Sequence, residues 1–99
     1  LGKVVWEDSA LLGLDDTYDF ISRDSNFNAL RELEKVIATL EKFEINSLLR
    51  KYLRDSKRST KHELVEGNYR IIYEIASNHT VFIVHVPHGA SDLNNSREN

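Results

Sequence analysis

The residues of this chain that could do acid–base work crowd into its second half: Lys61, His62, Glu63, Arg70, Tyr73, His85 and His88. A Glu or His can take a proton from a ribose 2′-hydroxyl. A His, Lys or Tyr can protonate a leaving 5′-oxygen, and Arg or Lys can offset the charge of a crowded phosphate. The set is therefore of the kind that cleaves RNA without a metal, provided the residues converge on one face. Each also has a plain structural use. His62 and Glu63 fit solvated strand positions. His85 alternates with Val81 and Ile83 and fits a core histidine, and His79 fits a turn. The four histidines are too scattered for a metal-ligand pattern, so no metal site is expected.

Three strands would have to position this set. Tyr69–Ile75 and Thr80–Val86 are the most β-prone stretches. Alternation puts Tyr69, Ile71, Tyr73 and Ile75 on one face of the first and Arg70, Ile72 and Glu74 on the other. The second is apolar on both faces, which predicts a central strand covered on both sides, ended by Pro87. Lys61–Val65 is a weaker strand, joined through Glu66–Asn68 with a positive φ expected at Gly67. Ala76–His79 is a second turn.

Upstream, residues 3–6 read as a first strand. Asp8 or Ser9 is placed to cap a helix over about 9–22, on Ala10, Leu14, Thr17 or Tyr18, and Ile21. Ser25 or Asn26 can cap a second helix. Its stripe is Leu30, Leu33, Ile37 and Leu40, widened by Phe27 and Val36, and it should end near Phe43. A helical turn is expected at 47–53 and a polar loop at 55–60. The order β-α-α-β-β-β predicts an α+β fold: an antiparallel meander sheet with an αα-hairpin packed on one face. The expected single domain 1–99 divides into a strand at 1–6, a helical hairpin at 9–43, a meander at 61–86 and a frayed tail at 94–99.

The 99 residues carry a net charge of -3 and no cysteine, so neither a disulfide framework nor a thiolate site is available. No apolar run approaches a membrane span and no signal-peptide pattern opens the sequence, so a cytoplasmic protein without membrane contact is expected. An acidic balance argues against a uniformly basic, nucleic-acid-coating surface. The charge is uneven, however: Arg50, Lys51, Arg54, Lys57, Arg58 and Lys61 face a single acid, Asp55. Such a strip suits nucleic acid or an acidic partner segment. Arg50, Arg54, Lys57, Arg58 and Lys61 are the candidate contacts.

Two stretches carry a family resemblance. Glu66-Gly-Asn-Tyr-Arg-Ile-Ile-Tyr-Glu-Ile75 resembles the "VG-x-YRIIY" strand of the RelE/ParE toxins of bacterial type II toxin–antitoxin modules. Val84-His-Val-Pro-His-Gly89 resembles their closing "V-x-x-V-x-H-G" segment. Val5-Trp6 with Ala10 and Leu14 matches their opening strand and helix. The resemblance implies a growth-inhibiting toxin, often from plasmid-stabilising modules, neutralised by a cognate antitoxin protein. Its target is either DNA gyrase (ParE-like) or the ribosome and its mRNA (RelE-like). It implies no cofactor. In RelE-like members the residue matching Arg70 contacts the scissile phosphate, and His88 matches the closing histidine. Arg70, His88 and Glu63 would be the catalytic set of a ribonuclease.

Ala90 and Ser91 stand where that branch commonly has two arginines, and no tyrosine follows. The preferred expectation is therefore a ParE-like inhibitor acting by protein–protein contact, without an active site. The alternative is a RelE-like, metal-independent mRNA endonuclease. A further alternative is a non-toxic relative that only binds a partner protein.

Overall fold

The computed structural model describes residues 3–56 and 61–88. Its elements are β1 (Val4–Trp6), α1 (Asp8–Ser22), α2 (Asn26–Ile45), α3 (Ser47–Ser56), β2 (Lys61–Glu66), β3 (Tyr69–Ile75) and β4 (Val81–His85). The α+β architecture is the expected one. Strands β2, β3 and β4 form the antiparallel meander, but the sheet as a whole is mixed. Its order is β1-β4-β3-β2, and β1 runs parallel to β4, with Val5 opposite Phe82. The N–H of Val81 donates to the Lys3 carbonyl at 2.9 Å, and that of Glu7 to the Ile83 carbonyl at 3.0 Å. The first strand thus closes the free side of the last and makes β4 central.

Alternation works as expected on β3: Tyr69, Ile71, Tyr73 and Ile75 are buried beneath the helices. Each side chain removed from water in this way contributes about 1.5–3 kcal/mol. Arg70, Ile72 and Glu74 point away. On β4 only Val81 and Ile83 are buried. Phe82 and Val84 remain half-buried, so the far face is not fully covered among the described residues.

A β-bulge separates the pairs Tyr73↔Ile83 and Ile72↔His85, leaving Val84 as the extra residue. This overturns the core reading of His85, which is turned outward. Val86, fully buried, takes the inward place.

The helices depart from expectation at their ends. Helix α1 begins after Glu7 with no side-chain cap. Ser9 instead donates its hydroxyl to the Val84 carbonyl at 3.1 Å, fastening α1 to β4. Ser25 does cap α2, accepting from the Asn28 N–H at 3.1 Å. Helix α2 runs to Ile45, past the expected end at Phe43, and the expected turn at 47–53 is a full helix to Ser56. Asn46 joins the two, its Oδ1 accepting from the Leu49 N–H at 2.9 Å.

Only Ala29, Val36, Leu40 and Phe43 of α2 are buried; Phe27, Leu30 and Ile37 lie outside. The apolar stripe is thus wider than the sheet can cover. At Gly13 a Cβ would overlap the Val86 carbonyl oxygen, so glycine there allows α1 to lie against the chain leaving β4. Gly67 has the expected positive φ, 59°.

Candidate functional site

Four of the chemistry-bearing residues meet at the outer edge of the sheet. Lys61, His62, Glu63 and Tyr73, with Leu53 of α3, line an open depression of about 360 Å³. Two faces contribute to it. His62 shares the helix-side face with Tyr73, its cross-strand partner, and their rings stack at 5.2 Å between centroids. Tyr73 in turn lies 5.3 Å from the Phe43 ring. Burial pushes the Tyr73 hydroxyl above its ordinary pKa, making it a poorer proton donor.

Glu63 stands on the far face, next to Arg70. Val65 is the direct partner of Arg70, so Glu63 is its diagonal neighbour. The Arg70 guanidinium reaches across: Nη2 lies 2.5 Å and Nε 2.7 Å from the same Glu63 oxygen. Two donors of the candidate phosphate clamp are thereby committed to the candidate base. His88 goes elsewhere. Its Nε2 lies 3.3 Å from an Asp16 carboxylate oxygen on α1, in the helical layer. The chain therefore pairs Arg70 with Glu63 on the face away from the helices and carries His88 to the helices. Among the described residues no group of three or more His, Asp or Glu could hold a metal ion, and no helix is long and apolar enough to cross a membrane.

The basic strip is not one surface. Arg50 is 2% exposed and donates through Nη1 to the Phe43 carbonyl, so it is a core residue rather than a contact for nucleic acid or an antitoxin. Its Nε has no hydrogen-bond partner among the described residues. The cause is helical phase: in α3 the half-buried Leu49 and Leu53 flank Arg50 on the side that meets α2 and β3. Arg54 pairs with its neighbour Asp55 at 3.0 Å. Lys61 is exposed at the sheet edge, while Lys57 and Arg58 lie outside the described residues.

Two features had no prominence in the sequence. Glu32 of α2 accepts from the Asn68 backbone N–H at 2.7 Å and from its side-chain amide at 3.2 Å, clasping the β2–β3 turn. A glycine-bearing turn with an unpaired N–H is the signal that a carboxylate was wanted there. Beneath it, Tyr69 is fully buried, and its hydroxyl has no hydrogen-bond partner among the described residues. Burial, then the nearby Glu32 carboxylate and Tyr18, pushes the Tyr69 pKa up to about 12.

The second feature is a shallow apolar groove of about 340 Å³ between the two long helices. Leu11, Leu14, Asp15 and Tyr18 of α1 and Leu33 of α2 line it.

Comparison with curated proteins gave no match. The family model described as "ParE toxin of type II toxin-antitoxin system, parDE" matches residues 4–93, which includes the first strand, the helical hairpin and the whole meander. With the mixed sheet and its helical cover, that match makes this chain a member of the RelE/ParE family of toxins from type II toxin–antitoxin systems.

Proposed function

We propose that the chain is a ParE-like toxin, which arrests growth by binding DNA gyrase in the cytoplasm and is neutralised by a cognate antitoxin. The observation that carries the gyrase reading is the closure of Arg70 on Glu63, with His88 drawn to Asp16. RNA cleavage needs a base, an acid and a cationic clamp on one phosphate. Here the clamp is bound to the base, and the histidine rests on a helix of the other layer. A family member built to act by protein contact needs none of these groups converged. It needs exposed surface, which the helical hairpin supplies in Leu11, Leu12, Phe27 and Leu30.

The test is induction of the chain in a bacterial host, with plasmid supercoiling and the SOS response followed alongside growth. Arrest with relaxed plasmids is expected. Arrest with supercoiling intact would overturn the gyrase reading.

A RelE-like nuclease has one observation in its favour, the gathering of Lys61, His62, Glu63 and Tyr73 around one depression. Under that reading, codon-positioned mRNA cleavage would accompany arrest and disappear with Arg70→Ala. A relative that only binds its partner would give no arrest at all.

A further inference from the structure

We propose that β2 pairs with β2 of a second copy of this chain, joining two sheets edge to edge across a twofold axis. Strand β2 is the outer strand of the sheet, and among the described residues β3 is its only strand neighbour. It runs for 6 residues, contains no proline and keeps an unbroken register against β3. The opposite edge, β1, has 3 residues. A long, regular edge presents a row of main-chain donors and acceptors that another strand can use.

The hairpin says which groups those are. Glu66 and Tyr69 are partners with only Gly67 and Asn68 between them, so they exchange both main-chain hydrogen bonds. By alternation, His62, Leu64 and Glu66 turn their N–H and C=O groups to β3, and those of Lys61, Glu63 and Val65 point outward. A twofold axis normal to the sheet runs the two strands antiparallel and keeps the same face of each on the same side. Opposed residues must then both be odd-numbered or both even-numbered.

Charge and overlap choose among the registers this allows. Centring on Glu63 sets two carboxylates directly opposite, which repels. Centring on His62 or Val65 overlaps only residues 61–63 or 64–66. Centring on Leu64 overlaps residues 62–66 and opposes no like charges. Leu64 then meets Leu64 of the second copy on the helix-side face, with His62 facing Glu66 on either side of it. On the far face Glu63 meets Val65, which is 57% exposed in the single chain, and the Glu63 charge is already held by Arg70. Charged residues guard an edge by making such pairing unfavourable, and in this register they do not. Glu66 of the second copy also comes beside the depression lined by Lys61, His62, Glu63 and Tyr73, so the partner contributes a carboxylate to that region.

The register can be read by cross-linking, since the chain has no cysteine of its own. The two residues at position 64 would form a pair not bonded through the main chain, with Cα atoms about 4.5 Å apart, a separation that a disulfide spans. Under mild oxidation Leu64→Cys should link two copies about tenfold faster than Val65→Cys, whose counterpart lies on a diagonal. Position 65 is the more exposed of the two, so random collision would give the opposite order. Sedimentation equilibrium of the unsubstituted chain should show a dimer at micromolar concentration. Val65→Pro removes an outward N–H without taking a bond from the β2–β3 ladder, and should give a folded monomer. Glu66→Ala leaves every main-chain bond in place and should raise the dimer dissociation constant about tenfold, because its pair occurs twice. A wild-type chain that stays monomeric, linking of Val65→Cys as fast as Leu64→Cys, or an unchanged constant in Glu66→Ala would each overturn the proposal. All of these are read on the purified chain, so their outcome is independent of growth arrest and of the gyrase reading.

Discussion

The depression at the sheet edge and the groove on the helical hairpin are similar in volume and opposite in character. In the first, charge is turned inward: Glu63 holds Arg70, and aromatic rings fill the floor. In the second, the walls are apolar and the one carboxylate in the lining, Asp15, has no ion-pair partner among the described residues. A region whose charges satisfy one another is finished as a structure. A region with uncovered leucines and an unmatched acid is left open in its side chains. In this fold that kind of surface sits on the helices, while the strands are left open in their main chain, along the outer edge of β2. A search of the strands is therefore rewarded by their main-chain pattern rather than by their charged side chains.

The contrast can be broken most severely at its shared foundation. Gly13 lets α1 lie against the chain leaving β4, the contact that seats the helical layer on the sheet. Gly13→Val should cost about 3 kcal/mol through overpacking against the Val86 carbonyl, read as a lowered denaturation midpoint with an unchanged slope.

Next is alkaline stability. The raised pKa of Tyr69 favours the neutral phenol in the folded state, so its contribution is complete below pH 10.0, the ordinary value, and is lost as pH rises toward about 12. Unfolding by base should begin in that window. Tyr69→Phe should blunt the alkaline loss by about 2 kcal/mol while leaving stability at neutral pH unchanged or higher, since the buried hydroxyl has no hydrogen-bond partner among the described residues.

A smaller effect is expected at Arg50. Arg50→Met removes a buried cation that has no ion-pair partner among the described residues and should leave stability unchanged or raise it by about 1 kcal/mol. Loss of stability there would mean that the bond to the Phe43 carbonyl matters more than the burial of charge. Smallest of all is the exposed pair: a double-mutant cycle on Arg70→Ala and Glu63→Ala should return less than about 1 kcal/mol. A much larger coupling would argue that the sheet-edge region is held in a tense arrangement and would reopen the nuclease reading.

Much of the fold was legible because period and pattern agree. The faces of β3, the turn at Gly67, the Ser25 cap and the α+β order all follow from local chemistry. What was not legible depends on partners distant in the chain. No local feature of Lys3–Trp6 says that it will lie parallel to β4. Arg50 reads as surface in any charge count, because only the phase of α3 against β3 takes it inside. Glu32 looks like one acid among several until the Asn68 N–H arrives beside it. At the candidate site the residue types were readable, and Arg70 stands on the predicted face. Which residues would meet was not, since Glu63 is reached through a diagonal and His88 through a helix.

The bulge at Val84 also fixes the meaning of distance along the chain. One additional residue decides which of two neighbours looks inward, so counting by twos from Val81 names the wrong one. If the strand paired regularly with no bulge, position 85 would face inward and an imidazole would enter the interior in place of an aliphatic side chain. Such a chain would have the same composition, yet its tolerance of acid would change, because a histidine enclosed there resists taking up a proton. A single insertion in a strand thus keeps a titrating group away from the core, and with it the stability of the whole domain away from the acidity of its surroundings.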